Sequence, residues 1–282
     1  MIKDAITLKK GAWNAVICPR LGANVTELRY EGVDVLRPLD DEEKLKKSKF
    51  LFGAPLLMPA NRTVDGRFTF EGKEYLMPIN EPATGCNLHG KVLFEAFDTV
   101  ECTADRITLR LTDRECRAYP FPFSLTVSYA LDEGLVSTYE VENIGDGNMP
   151  LTFALHTTFR EPDGFSVPID LCQEKDERHI PTGRYTELTD LQRSFRDGSA
   201  SKGVFITGYF HSCGSTAKIG KFSYRVSEGF DHWILFNGKG EAGLLCVEPQ
   251  SGKVNGLNIS DGHMVLAPGE KVLFKTEIFR NN

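Results

Sequence analysis

The sequence predicts an all-β protein built mainly from antiparallel strands, a sandwich or barrel with few short helices. Strict alternation of apolar and polar residues is the first reason. "RITLRLTD" puts Ile107, Leu109 and Leu111 on one face and Thr108, Arg110 and Thr112 on the other. "SLTVSYAL" does the same with Leu125, Val127, Tyr129 and Leu131, and "KVLFKTEIF" with Val272, Phe274 and Ile278. Period two is the mark of strands with one buried face. The second reason is punctuation: Asp65-Gly66, Glu71-Gly72, Glu133-Gly134, Gly145-Asp146-Gly147 and Pro268-Gly269 separate such runs, and these residues suit tight turns. The third is the scarcity of helical signal.

Two segments qualify as short helices. In "DDEEKLKKSKF", 40–50, acids come first and bases last, as a helix dipole favours, although a solvated charged loop fits equally. "YTELTDLQRSF", 185–195, holds one turn or two. No repeat, low-complexity tract or linker divides the chain, so residues 1–282 read as a single domain. That length suits one all-β unit.

Composition excludes several classes of function. Hydrophobic residues make up 41% of the chain and charged residues 26%, an ordinary balance for a globular protein with a large core. The net charge of −6 and the lack of a basic patch interleaved with aromatics argue against nucleic acid. No run approaches the roughly 18 apolar residues of a membrane helix. The opening "MIKDAITLKKGAWNAVICPR" lacks an apolar signal core with a small-residue cleavage site, so a cytoplasmic protein is expected. The 7 cysteines, spread widely and without a C-x-x-C, read as reduced thiols. The N-x-S/T matches at Asn24, Asn61 and Asn258 then carry no glycan.

Gly238, Gly240 and Gly243 form a literal G-x-G-x-x-G. A dinucleotide site needs that motif to open a helix. "LLCVEP" follows instead, so a glycine-rich hairpin between two strands is expected. The histidines show no H-x-x-x-H pairing, so metal binding is not expected, and no G-x-S-x-G elbow marks a nucleophilic serine.

Polar residues beside apolar strands are the remaining candidates for chemistry. "MPANRTVDGRF" carries Asn61 and Arg62, "GCNLHGKV" carries His89, and "LTFALHTTFR" carries His156. "EGFDHWILFN" carries Asp231 and "CVEPQSG" carries Glu248. Each has a plain alternative. His156 and His89 could be hydrogen-bonded core histidines, Asp231 could cap a turn, Arg62 could make a surface ion pair, and Glu248 could reach water at a strand end. Together they suit a sugar, whose hydroxyls need donors and acceptors in fixed directions. Leaving such buried groups unpaired is costly, which gives selectivity.

"NRTVDGRFTFEGKEYLMPIN", "NLHG", "LTFALHTTF", "FDHWILFN" and "CVEPQSG", in this order and spacing, resemble the aldose 1-epimerase (galactose mutarotase-like) family. The opening "AVICPRLGANVTELRYEGVDVLRP" resembles the family's first strands. The resemblance implies a large antiparallel β-sandwich acting on a free sugar without a cofactor, as a monomer or homodimer. It implies Glu248 as catalytic base and His156 as catalytic acid, with Asn61, Arg62, His89 and Asp231 holding substrate. Two departures bear on the substrate. Galactose-type members commonly continue His-Gly-Gly where this chain has His89-Gly90-Lys91, and Thr-Asn-His-x-Tyr-Phe where it has Ala-Leu-His-Thr-Thr-Phe. Lys91 therefore raises a phosphorylated or acidic sugar, with Lys91, Arg67 and Lys73 as candidate cations at the pocket edge. A sugar binder that lost catalysis is the non-enzymatic alternative.

Overall fold

Every ladder between named strands is antiparallel in the computed structural model, which describes residues 2–240 and 243–281, with residues 46 and 47 described by their backbone alone. Strand takes 50% of the residues and helix 7%, so the class expected from alternation is the class found. The runs named above form the centre of one 8-stranded sheet. In it Arg106–Asp113, Phe123–Leu131, Gly134–Asn143 and Lys271–Arg280 lie side by side. Leu125, Val127, Tyr129 and Leu131 are all buried while their neighbours reach outward.

A second 8-stranded sheet faces it. Its order runs Pro181–Glu187, Ile169–Lys175, Thr207–Ser212, His232–Phe236, Leu244–Gln250, Ala154–Leu155, Leu56–Leu57, with Thr158–Arg160 also pairing Leu244–Gln250. Aromatic side chains join the two layers. Phe153 stacks on Phe274 at 5.0 Å, and Trp233 and Phe159 meet Tyr224 edge-on at 6.0 and 5.5 Å. Such pairs add to the burial that drives packing. Leu245, Val247, Trp233 and Leu235 join this core cluster. With period two, Glu248 and Ile234 must then point the other way, and that opposite face carries the site.

Both candidate segments hold a short helix. Of 40–50 only Glu43–Lys47 is helical, one turn. Residues 185–187 close a strand. Thr189 then caps the helix Asp190–Asp197 in a reciprocal box with Gln192, which satisfies two orphan donors at the helix start. The glycine-rich stretch makes a kinked turn at Gly238–Gly240, with Lys239 in the left-handed region (φ +73), and the strand Leu244–Gln250 lies beyond it, paired antiparallel with His232–Phe236. Among the described residues no helix opens there to hold a pyrophosphate. All seven cysteines are free thiols. No helix among the described residues is long and apolar enough to cross a membrane.

The loop 48–54 reaches the functional face and is pinned from below by Asn24. The buried Asn24 amide donates to the carbonyl of Phe52 at 3.2 Å and accepts from the N–H of Ala54 at 2.8 Å. Gly53 has φ +68, and a Cβ there would lie 2.2 Å from the Val25 carbonyl oxygen, so only glycine lets the strand and loop touch. Asn24→Ala strands two buried backbone groups. It should cost about 2–3 kcal/mol in chemical denaturation and lower activity by freeing Phe50. A loss under about 0.5 kcal/mol would show that the loop is held elsewhere.

Candidate active site

Leu244–Gln250 delivers Glu248 to the face away from the core, and its cross-strand partner is Ile234, itself paired with Tyr209. Tyr209, Ile234 and Glu248 thus form one row across adjacent strands. Above the row lies a cavity of about 520 Å³, lined by Glu248, His156, His89, Asn61 and Arg62 among others. The volume falls inside the roughly 300–1,000 Å³ common for small-molecule sites.

Glu248 is 3% exposed and His156 6%, and their Oε1 and Nε2 stand 3.4 Å apart. Burial pushes the Glu248 carboxyl up to about 8, opposed by the charge of Arg62. Burial moves His156 in the other direction, down to about 4, because desolvation disfavours whichever form is charged. The pair therefore holds one proton across the neutral range.

His156 leaves the short strand Ala154–Leu155, with its N–H on the Pro55 carbonyl at 2.9 Å. Phe50 stacks on its ring at 5.9 Å and meets the His89 ring edge-on at 4.7 Å; the two imidazoles lie 5.3 Å apart, nearly perpendicular. Nδ1 of His89 and Nδ1 of His156 are buried without a hydrogen-bond partner. Buried polar atoms are rarely left unpaired, so the two imidazoles keep unused hydrogen-bonding capacity at the cavity wall. Desolvation, then the neighbouring His156 and Arg62, holds His89 well below the usual imidazole range, so it serves as a neutral donor and acceptor.

Tight turns set Asn61, Arg62 and His89. Asn61 (φ +58) accepts the N–H of His89 on its carbonyl at 2.9 Å, and its side-chain oxygen takes the N–H of Arg62 at 3.0 Å. Gly90 follows His89 at φ +61, where a Cβ would sit 2.2 Å from the Met58 carbonyl oxygen. Glycine is therefore required at Gly90, whatever stands at position 91. Arg62 is fixed by a bidentate pair with Glu81, Nε to Oε2 and Nη2 to Oε1, each 2.7 Å. Its remaining arm donates to the Tyr209 hydroxyl at 2.7 Å.

Five of the six residues singled out in the sequence converge here. Asp231 does not. Its side chain is 55% exposed, and Oδ1 accepts from His232 Nδ1 and from the Gly252 N–H, each at 2.8 Å. It ties a strand start to the next turn, outside the cavity lining. The expected edge cations are also elsewhere. Lys91 lines a separate cleft with Met77 and Asn87, Arg67 pairs with Glu74 at 3.5 Å, and Lys73 lies over the Tyr75 ring at 4.9 Å. The sequence reading missed Phe50, Glu81, Lys175, His179 and Tyr209, which line the cavity. Phe50 ends the stretch 40–50, for which a solvated charged loop fitted as well as a helix, and Lys175 sits in a polar stretch that offered no motif.

His156, Cys246 and Glu248 present ligand atoms within 4.8 Å of one another. That donor set suits a borderline cation such as zinc, and a cation held there would occupy both members of the proton-sharing pair.

The Aldose 1-epimerase family profile matches residues 4–278. The chain belongs to the aldose 1-epimerase family. Its members are isomerases acting on carbohydrates, and the identity is low but extended. Galactose mutarotase of Rattus norvegicus is 28% identical over 238 residues, covering 77% of this chain and 68% of that protein. The uncharacterized protein YihR of Escherichia coli K12 is 28% identical over 187 residues, covering 64% of this chain and 59% of that one. Among solved structures, a galactose mutarotase-like protein of Clostridium acetobutylicum superposes with TM-score 0.91 at 24% identity, covering 99% of this chain and 95% of its own. Galactose 1-epimerase of Lactobacillus acidophilus superposes with TM-score 0.80 at 19% identity, covering 100% and 96%. At these identities the two superpositions show that the fold is shared.

Proposed function

We propose that this aldose 1-epimerase family member interconverts the α and β anomers of a sugar by general acid–base catalysis, with Glu248 as base and His156 as acid. One observation carries the reading. A buried carboxylate and a buried imidazole face each other at 3.4 Å on the wall of a cavity of small-molecule size. Two buried titratable groups with proton affinities pushed to opposite sides of neutrality suit proton transfer better than structure.

In the reaction Glu248 takes the proton of the C1 hydroxyl while His156 delivers one to the ring oxygen. The C1–O5 bond breaks and leaves the open-chain aldehyde. Rotation about C1–C2 presents the other carbonyl face. O5 attacks it, His156 recovers its proton, and Glu248 returns one to O1. The protein ends in its starting state. Resting Glu248 holds the proton and His156 is neutral, so the working form needs that proton moved across the 3.4 Å contact. The total count is unchanged by that shift. Neutral His89, Asn61 and the fixed Arg62 hold the ring hydroxyls, which costs least when their geometry is preset.

A bell-shaped pH profile is the consequence. Activity needs one proton on the pair, so kcat/KM should fall below about 4, where both groups are protonated, and above about 8, where neither is. Polarimetry on freshly dissolved α-D-glucose and α-D-galactose, corrected for the spontaneous rate at each pH, tests both points. A folded protein that accelerates neither these sugars nor their 6-phosphates and uronates would exclude the reading and leave sugar binding alone. Acceleration without an alkaline limb would exclude Glu248 as the group that titrates.

A further inference from the structure

Lys175 ends the strand Ile169–Lys175 beside a register shift between Gln173 and Lys175, and it is half-buried on the cavity wall. Its ammonium sits 4.6 Å from the Tyr209 ring centroid and 3.5 Å from the Thr207 hydroxyl. Among the described residues no carboxylate pairs with it. Glu81, an acid of the cavity lining, has both oxygens engaged by Arg62, and the Thr84 hydroxyl donates to one of them as well. The Tyr209 hydroxyl is also spent: it accepts from Arg62 and donates to the His179 carbonyl.

The charges in the cavity therefore do not cancel. Arg62 and Lys175 stand against Glu81 alone, while Glu248 is largely neutral at pH 7. Lys49 at the lining adds a further cation. Desolvation first, and then Arg62, lowers the proton affinity of Lys175, as a cation without a counter-ion must show. Fully buried lysines are ordinarily paired with an anion, while partly buried ones carry the ammonium to a polar space, here the cavity. The ammonium of this one meets an aromatic ring and a single hydroxyl, which leaves N–H donors unused on the cavity wall.

We infer that Lys175, with Arg62 behind it, forms a subsite for an anionic substituent, so that the preferred substrate is an aldose bearing a carboxylate or phosphate away from C1. The inference rests on the epimerase reading for the reaction but not for the binding. The cations that the sequence offered for this role, Lys91, Arg67 and Lys73, lie outside the cavity, and the charge arrives from a different strand.

Saturation-transfer NMR would give kcat/KM for D-galactose against D-galacturonate and for D-glucose against D-glucose 6-phosphate, with calorimetric titration of each sugar in parallel. Wild type should favour one anionic sugar over its neutral parent by at least about 10-fold, and the arm that wins names the group. Lys175→Met, which keeps the length of the side chain without its charge, should reduce that preference about 10- to 100-fold, and Lys175→Arg should restore part of it. A wild-type preference near unity that Lys175→Met does not alter would overturn the subsite while leaving the epimerase reading intact. If no sugar is turned over, the epimerase reading fails and calorimetry decides the subsite: a 10-fold weaker anionic sugar with Lys175→Met sustains it, and equal binding overturns it.

Discussion

Glu248→Gln should lower kcat by about 10²–10⁴-fold with little change in substrate affinity. The amide keeps the size and one hydrogen-bonding oxygen, so the cavity and its sugar contacts persist. It cannot take the proton from the C1 hydroxyl. An interaction needed only in the transition state is lost, and kcat and kcat/KM fall together. His156→Asn should behave in the same way, because the ring oxygen then leaves without a proton donor. Stopped-flow polarimetry with wild type and both variants is sufficient. If Glu248→Gln retained full activity, the base would lie elsewhere and the 3.4 Å contact with His156 would be structural.

The same substitution should stabilise the protein, increasingly so at high pH. Glu248 has an ordinary value of 4.5 and is raised to about 8 by burial. Between these values the folded state keeps a proton that the unfolded chain releases. Stability from this group is complete below about 4.5 and is lost as pH rises through about 8. A shift of that size corresponds to about 4–5 kcal/mol, or more than a thousandfold in the folding equilibrium. Glutamine is neutral throughout and lacks this slope. Urea denaturation at pH 5 and pH 9 should therefore show Glu248→Gln gaining several kcal/mol on wild type between the two. Parallel curves would mean that the carboxylate reaches solvent or a counter-ion in the folded protein. His156 has the opposite sign: its lowered affinity costs stability as pH falls from 6.5 through about 4. Together the two groups place maximal stability at mildly acidic pH, between about 4.5 and 6.5, with loss setting in above that range.

Both results express one arrangement. The face that Leu244–Gln250 turns away from the core is dry enough to keep a carboxylate protonated, and under the proposed function this is what would give the group useful strength as a base. Activity would then come at the expense of stability, at a strand paired on both sides. Leu245 and Val247 anchor it from the core side, and Ile234 crosses it from the next strand. A mobile loop would not keep Oε1 within reach of His156 and of a sugar at once.

Much of the site was legible because short segments carried it whole. Asn61 and Arg62 are adjacent, His89 lies in a turn that only glycine can complete, and His156 and Glu248 each end an apolar run. Asp231 shared that appearance, with an aromatic strand directly after it. The difference lies in the neighbours: its carboxylate meets the His232 imidazole and the Gly252 N–H, both at the outer end of the strand. Phe50 and Lys175 had the reverse fate. Their stretches are polar and offered no motif, and only loop 48–54 folding over His156, and the irregular strand end at Lys175, bring them inward.

Sequence alone determined the strand faces, the turns and the absence of a nucleotide-binding helix after Gly243. Those features are local: period two, backbone freedom at glycine and the residues beside a turn act over a few positions. Tertiary structure decided which charges share a cavity and which protonation states they hold. Coulomb interaction and desolvation act through space between residues such as Arg62, Glu81, Lys175 and Glu248, which lie far apart along the chain, and no local pattern encodes their distance.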